Sequence, residues 1–304
     1  MAIRSFAVIG GDKRNFALSE MLYREGHRIK MFGFANYERE TLMQCMNLAE
    51  TVSDADYIIG PTPCSHNDGA LNAPYHSTSI YAEDLFKLIK PSQVFLAGFI
   101  KQEVFDLAEK YGTHVIDILN REELLIKNAI PTAEGAIKIA IEETDITIHG
   151  SRVLVIGYGR IGKILCSMLR GMGAKVTAVV NTSAAAAAAH SQGHMTTYCH
   201  SMEDDLNKAD IIFNTVPEIL LDKRNMCHIR SESTLIIDLA SPPYGVDVND
   251  SRQFGLSVLY AGSLPGKIAA VTTAGYMLDT INQIIDDQDQ KLEVLTESGG
   301  DTHE

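Results

Sequence analysis

The chain has 304 residues, 45% of them hydrophobic and 21% charged, a composition that suits a compact protein of two domains and excludes disordered, collagen-like and coiled-coil classes. Thirty-nine acidic against 26 basic residues give a net charge of −13, which argues against nucleic acid or an anionic membrane as a partner. Five scattered cysteines, no signal-peptide pattern and no long apolar segment predict a cytoplasmic protein with reduced thiols.

Short apolar runs alternate with amphipathic patterns through the first half of the chain. The runs predict strands at residues 3–9, 28–32, 57–59, 94–97 and 114–117, with helices at 16–22, 83–89 and 103–110. Short buried strands that alternate with helices indicate a parallel sheet. Residues 60–79 are rich in proline, glycine and small polar residues, and long loops of this kind usually carry function.

The second half repeats the alternation. A helix predicted at 131–143, with Pro131 at its start, connects the halves. Strands are predicted at 152–156, 175–180, 211–213 and 234–239, and helices at 161–172, around the alanines 184–189, and at 274–285. The sequence therefore predicts an α/β protein of two Rossmann-like domains with doubly wound parallel sheets, of which the C-terminal one binds a dinucleotide.

The predicted domain boundaries follow from this pattern. Residues 1–130 form the substrate and catalytic domain, and residues 131–285 form the dinucleotide-binding domain with its linking and C-terminal helices. Whether the last helix returns to the first domain is left open. Residues 286–304 are strongly acidic and are predicted to be a disordered tail.

The segment 157–162, with the sequence GYGRIG, is the strongest functional motif. It lies directly between an apolar strand and an amphipathic helix, as a dinucleotide-binding turn requires, although a glycine-rich turn without a ligand is the alternative. The first glycine permits the tight turn, the second lets the diphosphate approach the backbone, and the third allows close packing of the helix, whose free N–H groups attract the diphosphate. The predicted cofactor-binding residues of this turn are Gly157, Tyr158, Gly159, Arg160, Ile161 and Gly162.

The end of the following strand bears on the choice of cofactor. An acidic residue there would hydrogen-bond the ribose 2′-hydroxyl of NAD and repel the 2′-phosphate of NADP. This chain has the neutral donors Asn181, Thr182 and Ser183, so we predict that they bind NADP, with NAD as the alternative. Thr182 and Ser183 can equally cap the short alanine-rich helix, and the two roles are compatible.

Two further tetrapeptides, 214–217 and 238–241, directly follow predicted strands. The carboxyl ends of parallel strands meet at one edge of a sheet, where doubly wound folds hold their ligands. We therefore expect these segments to line the nicotinamide half of the site. The predicted residues are Thr215, Val216, Pro217, Asp238, Leu239 and Ala240.

A standard D-2-hydroxyacid dehydrogenase is disfavoured. Its chemistry needs a histidine acid–base group after the late strands of the cofactor domain, and no histidine occurs between His228 and His303. The remaining histidines and cysteines show no ligand spacing, so no metal site is predicted.

Several segments carry a more specific resemblance. They are 8–14 (VIGGDKR), 130–136 (IPTAEGA), 147–150 (TIHG), 214–217 (NTVP), 238–241 (DLAS) and 264–266 (LPG). Their occurrence in this order along a two-domain pattern resembles the dipicolinate synthase A-subunit family over almost the whole chain.

The resemblance implies an NADP-dependent oxidation of a dihydrodipicolinate to pyridine-2,6-dicarboxylate in the mother cell of a sporulating bacterium. It also implies a small-molecule dicarboxylate substrate and a partner, the flavoprotein-like B-subunit of dipicolinate synthase. A homo-oligomer is expected. Relatives usually carry an arginine just after the second strand of the cofactor domain, where this chain has Asn181.

Two arginines are candidates for holding the dicarboxylate. The planar fork of arginine matches a carboxylate. Arg14 follows the first strand on the expected ligand side of its domain, and Arg121 closely precedes the linking helix. For each, a solvated or ion-paired surface arginine is the alternative interpretation.

Thr132 and Glu134 complete the predicted catalytic residues. Both fall in the predicted first turn of the linking helix, which is expected to border the interdomain cleft, and Glu134 can accept the proton of the reaction. A glutamate that only complements the helix N-terminus is the alternative. Ser65 and Asn128 can also donate to a carboxylate, although a loop or cap role is the better interpretation.

Two other functions stay open at this point. The same fold accommodates a dehydrogenase of another small amino or keto acid, because function depends on the site rather than the architecture. A nucleotide-binding scaffold that only supports its partner is the second, since no distinctive acid–base group is evident.

Overall fold

The computed structural model describes residues 2–35, 42, 44–230 and 233–298, with side chains up to residue 291. The chain divides into two compact units. The first contains Met1–Leu125 and Ala270–Glu304, and the second contains Ile126–Ala269. The predicted class, two Rossmann-like α/β halves, is confirmed.

The first unit is built on a parallel sheet of five described strands in the order β2-β1-β3-β4-β5. These strands are β1 (Ser5–Ile9), β2 (Arg28–Phe32), β3 (Tyr57–Ile59), β4 (Val94–Ala97) and β5 (His114–Asp117). The helices around them are α1 (Lys13–Arg24), α2 (Leu48–Val52), α3 (Ala82–Phe86), α4 (Gln102–Tyr111), a short 3-10 helix (Ile118–Asn120) and the last helix, α12 (Ala270–Ser298). Phe6, Ala7, Val8 and Ile9 are all buried, because helices cover both faces of the sheet.

Helix α12 does not follow the predicted boundary. The sequence pattern assigns 274–285 to the second domain and predicts a disordered tail from 286, whereas the structure places α12 in the first unit and continues it to Ser298. Its buried face, formed by Ala274, Met277, Leu278, Ile281, Ile284 and Ile285, packs in the core beside α1. Residues 299–304 lie outside the described part of the chain.

Partners in the first unit fix the acidic end of α12. Asp287 accepts a hydrogen bond from the Arg121 guanidinium at 2.9 Å, and the Tyr57 hydroxyl lies 3.1 Å from the Gln288 side-chain oxygen. Asp289 forms an ion pair with Arg4. The acidic composition that predicts disorder is thus compatible with a helix, because cations of the same unit face it.

Helix α5 (Glu122–Glu142) also differs from its prediction. Pro131 lies inside the helix rather than at its start, so Thr132 and Glu134 are mid-helix residues. An internal proline removes one helical hydrogen bond and crowds the preceding turn. The helix continues because Leu124 and Ala129 are buried before the proline and Ala133 after it.

The second unit contains a parallel sheet of six described strands in the order β11-β10-β9-β6-β7-β8. These strands are β6 (Arg152–Ile156), β7 (Lys175–Val180), β8 (Met195–Tyr198), β9 (Ile211–Asn214), β10 (Leu235–Asp238) and β11 (Ser257–Tyr260). The helices are α6 (Arg160–Gly171), α7 (Ser183–Ser191), α8 (Glu203–Lys208), α9 (Lys223–Met226), α10 (Val248–Gln253) and α11 (Leu264–Ile268). The chain reverses its direction across the sheet between β6 and β9, so the carboxyl ends of those strands are the expected ligand edge.

Substitution of Ile281 tests whether α12 belongs to the first core. Ile281 is fully buried, so Ile281→Ala should lower the free energy of unfolding by about 2–5 kcal/mol through lost burial and a residual cavity. Val271 in the same helix is 64% exposed, and Val271→Ala should change it by less than about 0.5 kcal/mol. Urea unfolding followed by circular dichroism measures both variants, and equal small effects would contradict the assignment of α12.

Candidate dinucleotide-binding site

Two of the three glycines after β6 are required by their surroundings, and the third faces open space. Gly157 has a φ of +98°, and a Cβ there would lie 2.5 Å from the Thr215 hydroxyl oxygen. A Cβ on Gly162 would lie 2.1 Å from the carbonyl oxygen of Gly157, so α6 can approach the turn only with a glycine at this position. A Cβ on Gly159 would meet open space. The roles that the sequence assigns to these glycines are therefore compatible with the geometry.

The N-terminus of α6 is suited to an anion. Gly159 is its N-cap residue and has no side chain to accept from the N–H groups of the first turn. By contrast, the Asp12 and Thr182 side chains occupy this position at α1 and α7. The first-turn N–H groups of α6 and its dipole can thus serve a diphosphate.

A cavity of about 640 Å³ opens beside this turn, within the size range of cofactor sites. Nine of the predicted cofactor residues line it: Gly157, Tyr158, Gly159, Arg160, Ile161, Asn181, Thr215, Val216 and Pro217. The open space above Gly159 is a cradle that any side chain would fill, so the residues present fit a dinucleotide.

Three other predicted cofactor residues lie near the cavity but do not line it. Gly162 instead serves the close packing of α6 against the turn. Thr182 is the N-cap of α7, and its hydroxyl oxygen accepts from the Ala185 N–H at 3.1 Å. Ser183 is the exposed first residue of that helix. The capping interpretation is thus observed for Thr182.

Asp238, Leu239 and Ala240 are buried rather than exposed to the cavity. The Asp238 carboxylate is 1% exposed and accepts hydrogen bonds from the N–H groups of Ala240 at 3.0 Å and Gly245 at 2.9 Å. It also accepts from the Asn214 amide at 2.8 Å. Its observed contacts therefore shape the loops after β9 and β10 rather than line the cavity.

Six residues that border the cavity were not predicted: Val179, Val180, Ala185, Cys199, Glu218 and Leu220. Cys199 follows β8, a strand whose sequence MTTY is too short and polar to be recognised by pattern. Burial raises the pKa of its thiol. Glu218 directly follows the predicted segment 214–217, and extending that segment by one residue would have included it.

Tyr158, which lines the cavity, is in contact with two other side chains. Its ring lies edge-on to the His194 ring at 6.0 Å between centroids, and the Lys163 ammonium lies 5.9 Å from the ring centre. Burial raises the pKa of the Tyr158 hydroxyl. Burial, and then the nearby Arg170, lower the pKa of His194.

The predicted arginines of the first unit are held by acidic partners. Arg14 is buried and donates to both oxygens of Asp12 from Nε, at 2.9 and 3.1 Å, and from Nη2 at 2.8 Å. Nη2 also donates to the carbonyl oxygen of Thr62. Arg121 donates to Glu123 at 2.7 Å and to Asp287, and these two hydrogen bonds raise its pKa.

Thr132 and Glu134 do not line the dinucleotide cavity. The Thr132 hydroxyl donates to the carbonyl of Asn128 at 2.8 Å, within α5. Glu134 is exposed and borders a separate groove of about 550 Å³ between α5 and α6, together with Met168. Because both residues lie beyond Pro131 inside the helix, a location at a helix N-terminus is excluded for them.

Two features are absent from the part of the chain that the structure describes. Within it, no group of three or more His, Cys, Asp or Glu residues is arranged to hold a metal ion. The described helices also include none that is long and apolar enough to span a membrane.

Two family models match the chain in succession. Residues 5–119 match the model for the N-terminal domain of the dipicolinate synthase A-subunit. Residues 132–236 match the model for the NAD binding domain of D-isomer specific 2-hydroxyacid dehydrogenases. Fold and cavity thus define a two-unit α/β protein with a dehydrogenase-type domain for a nicotinamide dinucleotide.

Two relatives match most of the chain. The dipicolinate synthase A-subunit of Bacillus subtilis (strain 168) is 29% identical over 279 residues, which cover 90% of this chain and 93% of the relative. The crystal structure of the dipicolinate synthase A-subunit from Bacillus halodurans is 26% identical with a TM-score of 0.85, over 92% of this chain and 97% of that chain. This chain is therefore similar to dipicolinate synthase A-subunits over almost its whole length.

The wider fold is shared with other oxidoreductases. An L-alanine dehydrogenase is similar in fold, with 14% identity and a TM-score of 0.66 over 96% of this chain and 92% of that chain. This similarity concerns the fold alone.

A methyl group on Gly159 should block the dinucleotide without disturbing the fold. Gly159→Ala meets no atom within 4 Å but places its methyl in the cradle, so the dissociation constant for the dinucleotide should rise about tenfold or more. Gly171→Ala, at the other end of α6, also meets open space and is the matched control. Isothermal titration calorimetry measures both, and unchanged binding by Gly159→Ala would contradict the proposed diphosphate position.

Proposed function

We propose that this chain is a dehydrogenase subunit that oxidises dihydrodipicolinate to pyridine-2,6-dicarboxylate with NADP as the hydride acceptor. The proposal rests on one observation: a family-specific first half and a dinucleotide-type cavity in the second half occur in the same chain. The first matches the family model for the dipicolinate synthase A-subunit, and the second has an open glycine cradle beside a cavity of about 640 Å³.

The reaction balances without a strong nucleophile in the protein. The dihydropyridine ring loses a hydride and a proton, and the product is an aromatic pyridine. The bound dinucleotide supplies the hydride acceptor, and the proton passes to a basic group or to water. Because aromatisation favours the product, the main task of the protein is to orient the ring and the cofactor.

The residues around the cavity provide that orientation for the cofactor. The N–H groups at the start of α6 bind the diphosphate, and the buried Asp238 holds the loops after β9 and β10. Ordered loops reduce the conformational freedom that binding would otherwise remove. Asp238 is in this sense a positioning residue.

The preference for NADP rests on the end of β7. Asn181 lines the cavity there, and the neutral Thr182 and Ser183 follow it. A 2′-phosphate meets no carboxylate at these three positions, whereas an aspartate or glutamate would repel it. NAD is the alternative cofactor.

The cellular context is proposed from the similarity to dipicolinate synthase A-subunits. A dicarboxylate substrate, the flavoprotein-like B-subunit of dipicolinate synthase as partner and the mother cell of a sporulating bacterium are the proposed setting. We also propose that the chain forms a homo-oligomer.

Turnover of the purified full chain tests the proposal. Dihydrodipicolinate and NADP should give an increase at the absorbance band of the reduced nicotinamide, with and without the B-subunit in separate reactions. Turnover of an amino or keto acid but not of dihydrodipicolinate would replace the proposed substrate. Dinucleotide binding with no reduction in either reaction would favour a scaffold role.

The substitution Asn181→Asp tests the cofactor preference. The new carboxylate should raise the dissociation constant for NADP about tenfold or more by charge repulsion, and it should leave binding of NAD equal or tighter. Asn249→Asp adds the same charge to an exposed position of α10 and is the control. Titration of each variant with both dinucleotides gives the result, and an equal loss for NAD and NADP would contradict a 2′-phosphate at Asn181.

A further inference from the structure

The first unit has a ligand edge of its own. Its strand order β2-β1-β3-β4-β5 reverses direction between β1 and β3. Residues 10–14 follow β1 and residues 60–65 follow β3, so both segments lie at the carboxyl edge of the sheet at this reversal. Doubly wound sheets bind ligands at such a position, and in the second unit the corresponding position borders the dinucleotide cavity.

Polar atoms without a partner collect at this edge. The Thr62 and Ser65 side-chain oxygens are buried and make no hydrogen bond to any described residue, and the two residues are 8% and 5% exposed. A buried hydroxyl is normally paired, and an exception calls for a specific explanation such as a missing ligand or water. Both residues lie in the predicted functional loop 60–79.

Arg14 brings a cation to the same edge and joins the two segments. Its Nη2 atom donates to the Thr62 carbonyl oxygen, while Nε and Nη2 hold both oxygens of Asp12. The Nη1 amino group takes no part in these bonds. Asp12 therefore fixes the orientation of the guanidinium and leaves that group for another acceptor.

Residues 72–76 cover the edge from the β2 side. The Gly11 N–H donates to the Asn72 carbonyl at 2.8 Å, and the His76 ring lies against the Phe32 ring with 4.9 Å between centroids. His76 Nδ1 is buried and has no hydrogen-bond partner within the described ranges. A third unpaired group thus reaches the same edge from a separate segment.

We propose that Arg14, Thr62 and Ser65 form a carboxylate-binding site at the β1–β3 reversal of the first unit, with His76 at the β2 side of the same edge. The guanidinium and the two hydroxyls can all donate, which suits an acceptor with two oxygens. The ligand is one carboxylate of the planar pyridine dicarboxylate, so this assignment rests on the proposed function. Thr62 is the binding residue that the sequence alone did not suggest.

The matched variants remove one buried hydroxyl each from opposite edges of the same sheet. Thr62→Val and Ser65→Ala remove the proposed donors. Thr113→Val is the control, because the Thr113 hydroxyl is also buried without a described partner but lies before β5, at the amino edge of the sheet. Thermal unfolding of each variant establishes that it is folded, and Ser65→Ala serves if Thr62→Val is not.

Calorimetric titration of the full chain with pyridine-2,6-dicarboxylate gives the decisive measurement. We expect the dissociation constant to rise about tenfold or more in Thr62→Val and Ser65→Ala, because each loses a hydrogen bond to a charged group. The dissociation constant of the Thr113→Val control should differ from that of the wild type by less than about twofold. Inorganic phosphate is titrated in parallel as the competing anion.

Each other outcome has a distinct meaning. Wild-type affinity in a folded Thr62→Val and in Ser65→Ala would overturn the site while the proposed function stands. Equal affinity for phosphate, lost in the same variants, would overturn the carboxylate assignment. Loss of dicarboxylate binding in these variants, in a chain that does not turn over dihydrodipicolinate, would support the site and reject the proposed function. No binding of the dicarboxylate by the wild type would overturn the inference.

Discussion

The contact between the Gly162 Cα and the carbonyl of Gly157 sets the geometry of the second unit. No side chain can stand between these two backbone segments, since a Cβ on Gly162 would lie 2.1 Å from that oxygen. The helix therefore begins directly against the end of β6, and its first N–H groups face the cavity. A backbone contact of this kind tolerates little displacement, so the fold itself holds the N-terminal end of α6 in place.

A buried polar pair shapes the opposite wall. Asn214 and Asp238 are register partners on β9 and β10, and both are fully or almost fully buried. Asp238 accepts three hydrogen bonds, two from loop N–H groups and one from Asn214, which also bonds to the backbone of Val216. Buried carboxylates are costly unless such donors satisfy them, and here the donors belong to the segments that need to be positioned.

The helix that follows the first strand begins differently in the two units: α1 has a charged pair at its N-terminus, whereas α6 has a glycine. At the strand reversal of the first unit, Asp12 caps α1 and at the same time holds Arg14, so the helix N-terminus is already occupied and the guanidinium becomes the available donor. Arg121, the other arginine predicted to hold substrate, instead binds Glu123 and Asp287 and connects the start of α5 with α12 inside the first unit. The sequence alone favoured the two arginines equally as substrate-binding residues. Their different hydrogen-bond partners in the structure distinguish them.

The sequence by itself determined the features that depend on local sterics and local pattern. It identified two parallel α/β halves, the glycine turn, nine of the residues that line the cavity, and the segments that carry the family resemblance, because strand periodicity and glycine spacing are short-range properties. Only the tertiary structure decided the return of α12 to the first core, the interior position of Pro131, the burial of Asp238 and the partners of Arg14 and Arg121. These depend on contacts between residues far apart in the chain. The acidic composition at the end of α12 predicts disorder, but in the structure Arg4 and Arg121 form ion pairs with two of these acids. Asp238 is predicted to line the site, but it is buried and holds the loops after β9 and β10, because these two strands are neighbours.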